Sequence, residues 1–282
     1  MGHEVAGQVV EAGSDVDRSW IGQLVTCETF FSTCGRCTSC RDGRPNLCLE
    51  RRSIGSGVDG GFAALMVLPA RNLHRVPDGV DAHAAALSEP LACVCNALCD
   101  SSVVSPGDDV LVTGPGPIGL LAAQVARASG GHVLVVGTDR DEIRLAKARE
   151  LGFDAALASE GHVIDALGGA LGADVSIECS GSGAGAGTCL EHSRRGGRYV
   201  QMGLAGQPVK VPMDEICYRE LLVTSGFAST PRSWRRTLRM ITSGMVQLAP
   251  LVSEVVPLDD WERVFADTRA GRGIKYVFDP RI

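Results

Sequence analysis

Cys34, Cys37, Cys40 and Cys48 stand in the spacing Cys-x2-Cys-x2-Cys-x7-Cys, in a loop-rich stretch that also holds Gly35, Gly43, Pro45 and Asn46. Four thiolates so spaced can close a tetrahedral Zn²⁺ shell with Zn–S near ~2.3 Å and no open position, as structural zinc requires. Rival chemistries fit less well. Disulfides need an oxidising compartment, and an odd count of eleven cysteines closes no full set of pairs. The first three cysteines match ferredoxin spacing. The fourth does not, because ferredoxin runs bring it after three residues and follow it with Pro, whereas Cys48 comes after seven and precedes Leu49. A nucleic-acid-binding zinc ribbon sets two CxxC knuckles ~15–20 residues apart, which this cluster does not. The scattered Arg36, Arg41, Arg44, Arg51 and Arg52 read as a solvated face. Cys27, Cys93, Cys95, Cys99, Cys179, Cys189 and Cys217 read as small buried hydrophobes.

The second chemical signal is Gly114-Pro115-Gly116-Pro117-Ile118-Gly119, between an apolar strand at Val110–Thr113 and a helix expected from Leu120. In a dinucleotide fingerprint the first glycine permits the tight turn and the second lets backbone approach a pyrophosphate. The third lets helix pack on strand, and the helix N-terminus offers N–H groups to the phosphates. Asp139 falls twenty residues beyond Gly119, at the end of the next strand. A carboxylate there accepts from a ribose diol and repels a 2′-phosphate, which favours NAD over NADP. Arg140 beside it could instead meet a 2′-phosphate. The bland alternative is a glycine-rich turn in a sheet that binds another nucleotide.

These groups need elements to hold them. In the first ninety residues, short apolar runs at Val5–Val10, Leu24–Thr29, Phe62–Leu68 and Leu73–Val76 predict a β-rich unit. From Val110 the period changes. Strands are expected at Val110–Thr113, His132–Gly137, Ala155–Leu157, Asp174–Cys179, Arg198–Met202 and Leu221–Ser225. They alternate with helices at Leu120–Ser129, Asp141–Leu151, His162–Leu171, Thr188–Ser193 and Met213–Arg219, the pattern of a doubly wound parallel sheet. The Gly/Ser/Ala run at 181–187 reads as a loop. A helix at Ser233–Ser243, a strand at Val252–Val256, a helix at Leu258–Ala270 and a strand at Ile274–Phe278 follow. A hydrophobic fraction of 45% with only 5% aromatics predicts a core of Val, Leu, Ile and Ala, as parallel sheets use. A net charge of −6 argues against a nucleic-acid or anionic-membrane surface. No apolar stretch is long enough to span a membrane and the first residues carry no secretory signal, so a cytoplasmic protein with reduced thiols is expected.

A third motif, Gly2-His3-Glu4-x2-Gly7-x5-Gly13-x2-Val16, is unremarkable alone. Together with the cysteine cluster and the fingerprint, in this order, it resembles the zinc-dependent medium-chain dehydrogenases, in particular the sorbitol/polyol and threonine dehydrogenase branch. The resemblance covers essentially the whole chain. It implies that His3 ligates a catalytic zinc, that Glu4 ligates it or stands just behind, and that Glu89 of Glu89-Pro90-Leu91 completes or modulates the site. It further implies Ile118, Asp139 and Arg144 around the adenosine and pyrophosphate, Met202, Gly203, Leu204 and Phe227 near the nicotinamide, and Lys275 near a phosphate. Two departures are visible. Ala228 and Ser229 stand where polyol dehydrogenases often carry Arg and Tyr, which points away from sorbitol itself. Family members also begin earlier, in a segment that supplies a Cys ligand to the catalytic zinc.

The expected fold is thus α/β: a Rossmann NAD-binding domain at 93–225, and a GroES-like β-rich catalytic domain made of 1–92 and 226–282, N-terminally incomplete against the family. The expected activity is NAD-dependent oxidation of a secondary alcohol or polyol to a ketone, by a homodimer or homotetramer. The alternative is a non-catalytic chain that binds NAD and structural zinc. His3, two residues from a terminus, is expected to fray, with little turnover as the result.

Overall fold

The computed structural model describes residues 1–160, 167 and 171–282, and the helix expected at His162–Leu171 lies, but for Leu167 and Leu171, outside them. Two compact units emerge. One comprises Met1–Cys93, Ala228–Asp267 and Lys275–Ile282; the other comprises Val94–Phe227 and Thr268–Ile274.

The second unit is built on a six-stranded, all-parallel sheet. Its spatial order is Leu222–Ser225, Ser193–Gln201, Ala173–Glu178, Asp109–Thr113, His132–Gly137, Asp154–Leu157. The chain starts in the middle, winds to one edge, returns, and winds to the other. The strand order therefore reverses between Asp109–Thr113 and Ala173–Glu178, and in such folds ligands bind beyond the carboxyl ends of the strands at that reversal. Val110, Leu111, Val112, Val135, Val175, Ile177 and Val200 are completely buried, as a sheet covered on both faces demands. Helix Pro117–Ala128 packs on it through Leu120, Leu121 and Val125, none of them exposed. Proline at its first position fits, because that N–H has no intrahelical partner to lose.

One expectation here is corrected. The run at 181–187 is not a loop: residues Gly183–His192 form a helix, capped by Ser182, whose hydroxyl accepts from the Gly185 N–H at 2.9 Å. Its small residues allow close approach. A Cβ on Gly183 would stand 2.5 Å from the Lys210 carbonyl oxygen, and one on Gly185 would collide with the Ser180 hydroxyl. Tertiary packing overrides poor helix propensity.

In the first unit, Ala6–Gln8 pairs antiparallel with Leu24–Cys27, which pairs with Leu73–Arg75. Phe30–Ser32 pairs with Arg52–Ser53, and Val252–Val256 runs parallel to Lys275–Phe278. The strand expected at Phe62–Leu68 is absent. Phe62 is held by its ring, edge-on to Phe278 at 5.1 Å, and by its N–H to the Met1 carbonyl, while Leu65 and Val67 are exposed and join no ladder. An unforeseen helix, Ser88–Leu98, carries Glu89 in its first turn. Among the described residues no helix is long and apolar enough to cross a membrane.

Candidate active site

The first unit gathers two groups of metal-type ligands. Cys34, Cys37, Cys40 and Cys48 place their sulfurs within 4.8 Å of one another, with Cys34 to Cys48 at 3.6 Å and Cys34 to Cys40 at 4.0 Å. A tetrahedron with ~2.3 Å arms has edges of ~3.8 Å, so this set fits a closed zinc shell. Cys37 starts the short turn Thr38–Arg41, and Gly35 and Gly43 take left-handed backbone at φ +68° and +69° on either side of it. The Cys37 N–H donates to Cys34 Sγ at 3.4 Å and the Cys34 N–H to Cys48 Sγ at 3.5 Å. Backbone N–H groups of Arg36 and Cys37 pull the Cys34 thiol down to about 6, toward the thiolate that zinc binds.

His3, Glu4 and Glu89 form the second group, their ligand atoms also within 4.8 Å of one another. A tetrahedral shell with arms of ~2.0–2.1 Å needs edges of ~3.3 Å, within side-chain reach of this arrangement. Its electrostatics ask for a cation. Glu89 is 4% exposed, and burial, then the Glu4 carboxylate, push its carboxyl up to about 7 against a hydrogen bond from Cys93 and the Lys275 charge. The Lys275 ammonium pairs with Glu4 Oε2, so this lysine is placed at the carboxylate cluster. Backbone hydrogen bonds flank His3. The Gly61 N–H donates to the Gly2 carbonyl at 2.9 Å and the Phe62 N–H to that of Met1 at 3.0 Å. Gly2, at φ +86°, and Gly60, where a Cβ would strike the Gly2 carbonyl, let the two strands of chain lie this close.

The second unit holds the fingerprint. Gly114 has φ +87° and a Cβ there would lie 2.6 Å from the Ser180 nitrogen, while a Cβ on Gly119 would fall on the Gly114 carbonyl oxygen. Gly116, at the N-cap of the helix that continues through Pro117, Ile118 and Gly119, has no atom within 4 Å of a Cβ position and no side-chain cap. Tight turn, open approach and close helix packing thus fall on the first, second and third glycines. The helix N-terminus points uncapped N–H groups into the space beside Gly116, as a pyrophosphate requires.

Asp139 is exposed at the end of His132–Gly137, in a turn fixed by Thr138, whose N–H and hydroxyl both donate to Asp141 Oδ2 at 2.9 and 2.8 Å. Next to it opens a cleft of about 540 Å³ lined by Thr138, Arg140, Asp141, Arg144 and the segment Thr268–Gly271. Arg144, on the helix Glu142–Glu150, donates from Nε to the Gly273 carbonyl at 3.0 Å, which ties the end of that segment to the helix. Sequence reasoning missed Thr268 and Arg269, since nothing local marks them. Met202 and Gly203 donate their N–H groups to the Glu178 carbonyl, both at 2.9 Å, Leu204 is 82% exposed, and Phe227 is exposed with its carbonyl accepting from Asn96 Nδ2 at 3.3 Å.

Comparison with known proteins gives these parts a common origin. The alcohol dehydrogenase GroES-like domain family matches residues 1–78, and the zinc-binding dehydrogenase family matches residues 117–243. A sorbitol dehydrogenase of Halalkalibacterium halodurans is 37% identical, over 99% of this chain and 83% of its own. A D-arabitol-phosphate dehydrogenase of Enterococcus avium is 31% identical, over 99% and 81%. The structure of an alcohol dehydrogenase from Escherichia coli CFT073 complexed with NADH superposes with a TM-score of 0.84 at 25% identity, over 98% of this chain and 82% of that one. With two relatives above 30% identity along nearly all of its length, and with both families matched in the order that its motifs predict, the chain belongs to the zinc-dependent medium-chain dehydrogenases, in their α/β architecture of Rossmann sheet and GroES-like domain.

Proposed function

We propose that this chain oxidises a secondary alcohol or polyol to a ketone with NAD and zinc. The observation that carries the reading is the meeting of His3, Glu4 and Glu89 around one point, two carboxylates and an imidazole with more negative charge than Lys275 alone balances. A zinc ion held there would supply Lewis acidity toward an alcohol oxygen, and NAD along the fingerprint would supply the hydride acceptor. The chain's own work is to hold, orient and exclude water. Cys34, Cys37, Cys40 and Cys48 hold a second, structural zinc.

In this reading Gly114, Gly116, Pro117, Ile118 and Gly119 bind the pyrophosphate, and Asp139 and Arg144 the adenosine side. Met202, Gly203, Leu204 and Phe227 face the nicotinamide, and Lys275 steadies Glu4 where it was expected beside a phosphate. Residues 1–92 with 226–282 serve as the catalytic domain and 93–225 as the NAD domain, save that Thr268–Ile274 packs with the NAD-binding unit. The substrate class is polyols, secondary alcohols, 2,3-diols, threonine or aminocyclitols. Two further points belong to the proposal. The chain works as a homodimer or homotetramer, supported by the edge strand Leu222–Ser225, where Leu222 is 66% exposed. It works in the cytoplasm, supported by the cluster of Cys34, Cys37, Cys40 and Cys48, whose thiolates can bind zinc only while they stay reduced.

The test is a panel of those substrates followed at the NADH absorbance, alongside zinc analysis of the chain and of His3→Ala. Two zincs per chain, one lost in His3→Ala together with NADH formation, is the expected result. A chain that binds NADH and a single zinc, and reduces NAD with no member of the panel, overturns it.

A further inference from the structure

Strand Ala173–Glu178 ends on a carboxylate that is completely buried, opposite Thr113, at the point where the strand order reverses. Donors surround it. The Ser180 N–H reaches Oε1 at 2.7 Å and the Ser180 hydroxyl bonds the same oxygen. The Gly181 N–H lies 3.0 Å from Oε1 and 3.1 Å from Oε2, and Gln201 Nε2 donates to Oε2 at 2.7 Å. Gln201 Nε2 also donates to the Gly203 carbonyl at 2.8 Å, while its Oε1 accepts from the Tyr199 hydroxyl. The backbone carbonyl of Glu178 takes the N–H groups of Met202 and Gly203.

Two loops, 179–182 and 202–204, therefore hang on this one residue, and both are packed without slack. A Cβ on Gly203 would collide with the Gly181 nitrogen and with Glu178 Oε2, and one on Gly181 would stand 2.6 Å from the Leu204 carbonyl oxygen. The first fingerprint glycine, Gly114, packs on Ser180. With its lone pairs occupied by protein donors, the carboxylate has no capacity left for substrate. Its position matters instead. In a doubly wound sheet the strands beyond the reversal carry the second mononucleotide half, and Glu178 ends the first of them.

We infer that Glu178 is the positioning residue for the nicotinamide half of the cofactor: its carboxylate fixes Met202–Leu204 against the turn at 180–182. The inference rests on the reading that Met202–Leu204 faces the nicotinamide. Glutamine has the same size but one acceptor oxygen in place of two, so Glu178→Gln turns an amide NH₂ toward an N–H donor and parts the loops.

The experiment compares NADH with ADP-ribose, which lacks the nicotinamide, by fluorescence titration and competition. For Glu178→Gln, NADH affinity falls about tenfold while ADP-ribose affinity stays within about twofold. Ser180→Ala, which removes one of the donors, shifts the same ratio in the same direction by less, and carries the test alone if Glu178→Gln does not fold. An equal loss for both ligands overturns the inference, because it marks a merely structural role. Leu204→Ala separates the inference from the reading beneath it. If Leu204→Ala weakens NADH selectively while Glu178→Gln and Ser180→Ala change neither ligand, the inference fails and the reading stands; if no variant moves NADH, both fail.

Discussion

Alanine at Gly116 and alanine at Gly119 add the same methyl group three residues apart, and the surroundings predict opposite failures. At Gly116 the backbone is φ −71°, ψ −177°, open to any residue, and the new Cβ meets no protein atom within 4 Å. Alanine is a poorer N-cap than glycine by up to about 1 kcal/mol. Against that, it removes about 0.4–1 kcal/mol of unfolded-state freedom. The two nearly cancel, so Tm moves by no more than about 4 °C. The methyl group projects into the space where the proposed function puts the pyrophosphate, and overpacking there costs about 1–3 kcal/mol, or about 5–150-fold in NADH affinity. At Gly119 the Cβ falls on the Gly114 carbonyl, part of a turn itself pressed on Ser180, and no flexible side chain can yield. Overpacking there is charged to folding, and Tm drops by at least about 2–4 °C for each kcal/mol. Thermal unfolding by circular dichroism and NADH fluorescence titration on both variants read the two effects separately. NADH binding within twofold of the parent in Gly116→Ala, or an unchanged Tm in Gly119→Ala, would refute the reasoning.

The cysteine lobe predicts that Cys48→Ser loses one zinc equivalent and lowers Tm while His3→Ala loses the other equivalent; metal analysis of the two variants checks the assignment. Asp139→Ser is expected to weaken NAD and to narrow its advantage over NADP, because the carboxylate that accepts from the diol and repels a 2′-phosphate is gone; titrating both cofactors decides it. Asp279 accepts from Arg281 at 2.8 and 2.7 Å and from His83 at 3.0 Å, and Arg281 first, then His83, hold its carboxyl well below the usual range. A depressed folded-state pKa gives stability that is present above the unfolded value of ~3.9 and is lost as pH falls through the folded value. Asp279→Asn should therefore destabilise the chain at neutral pH, and the difference should shrink in denaturant titrations below about pH 4.

What could be read from the sequence was what is local. The four cysteines, the three fingerprint glycines and Asp139 carry their geometry in their spacing, and the six strands of the parallel sheet are short apolar runs bounded by turns. What escaped depends on distant partners. The helix Gly183–His192 looked like a loop because glycine disfavours helices in isolation, and only the contacts with Lys210 and Ser180 reveal why glycines stand there. Phe62–Leu68 has strand-like residues but no neighbouring strand to complete it. Glu178 is an unexceptional residue at a strand end until Ser180, Gly181 and Gln201 are folded around it. Lys275 was expected beside a phosphate and meets Glu4, a pairing between residues at opposite ends of the chain.

The glycine-rich helix also bears on how this protein can change over time. Its Gly-Ala-Gly-Ala-Gly opening has the look of degenerate sequence, free to drift. Gly183 and Gly185 face backbone and the Glu178 carboxylate at distances that admit no side chain, whereas the nearest atom to a Cβ on Gly187 is Pro212 Cδ at 3.9 Å. A saturation library scored for folded protein should find the first two positions closed and the third open, with alanine at 187 gaining about 1 kcal/mol in helix propensity. Low complexity here is information written by exclusion: glycine stands at 183 and 185 because the first turn leaves no room for a side chain at either position.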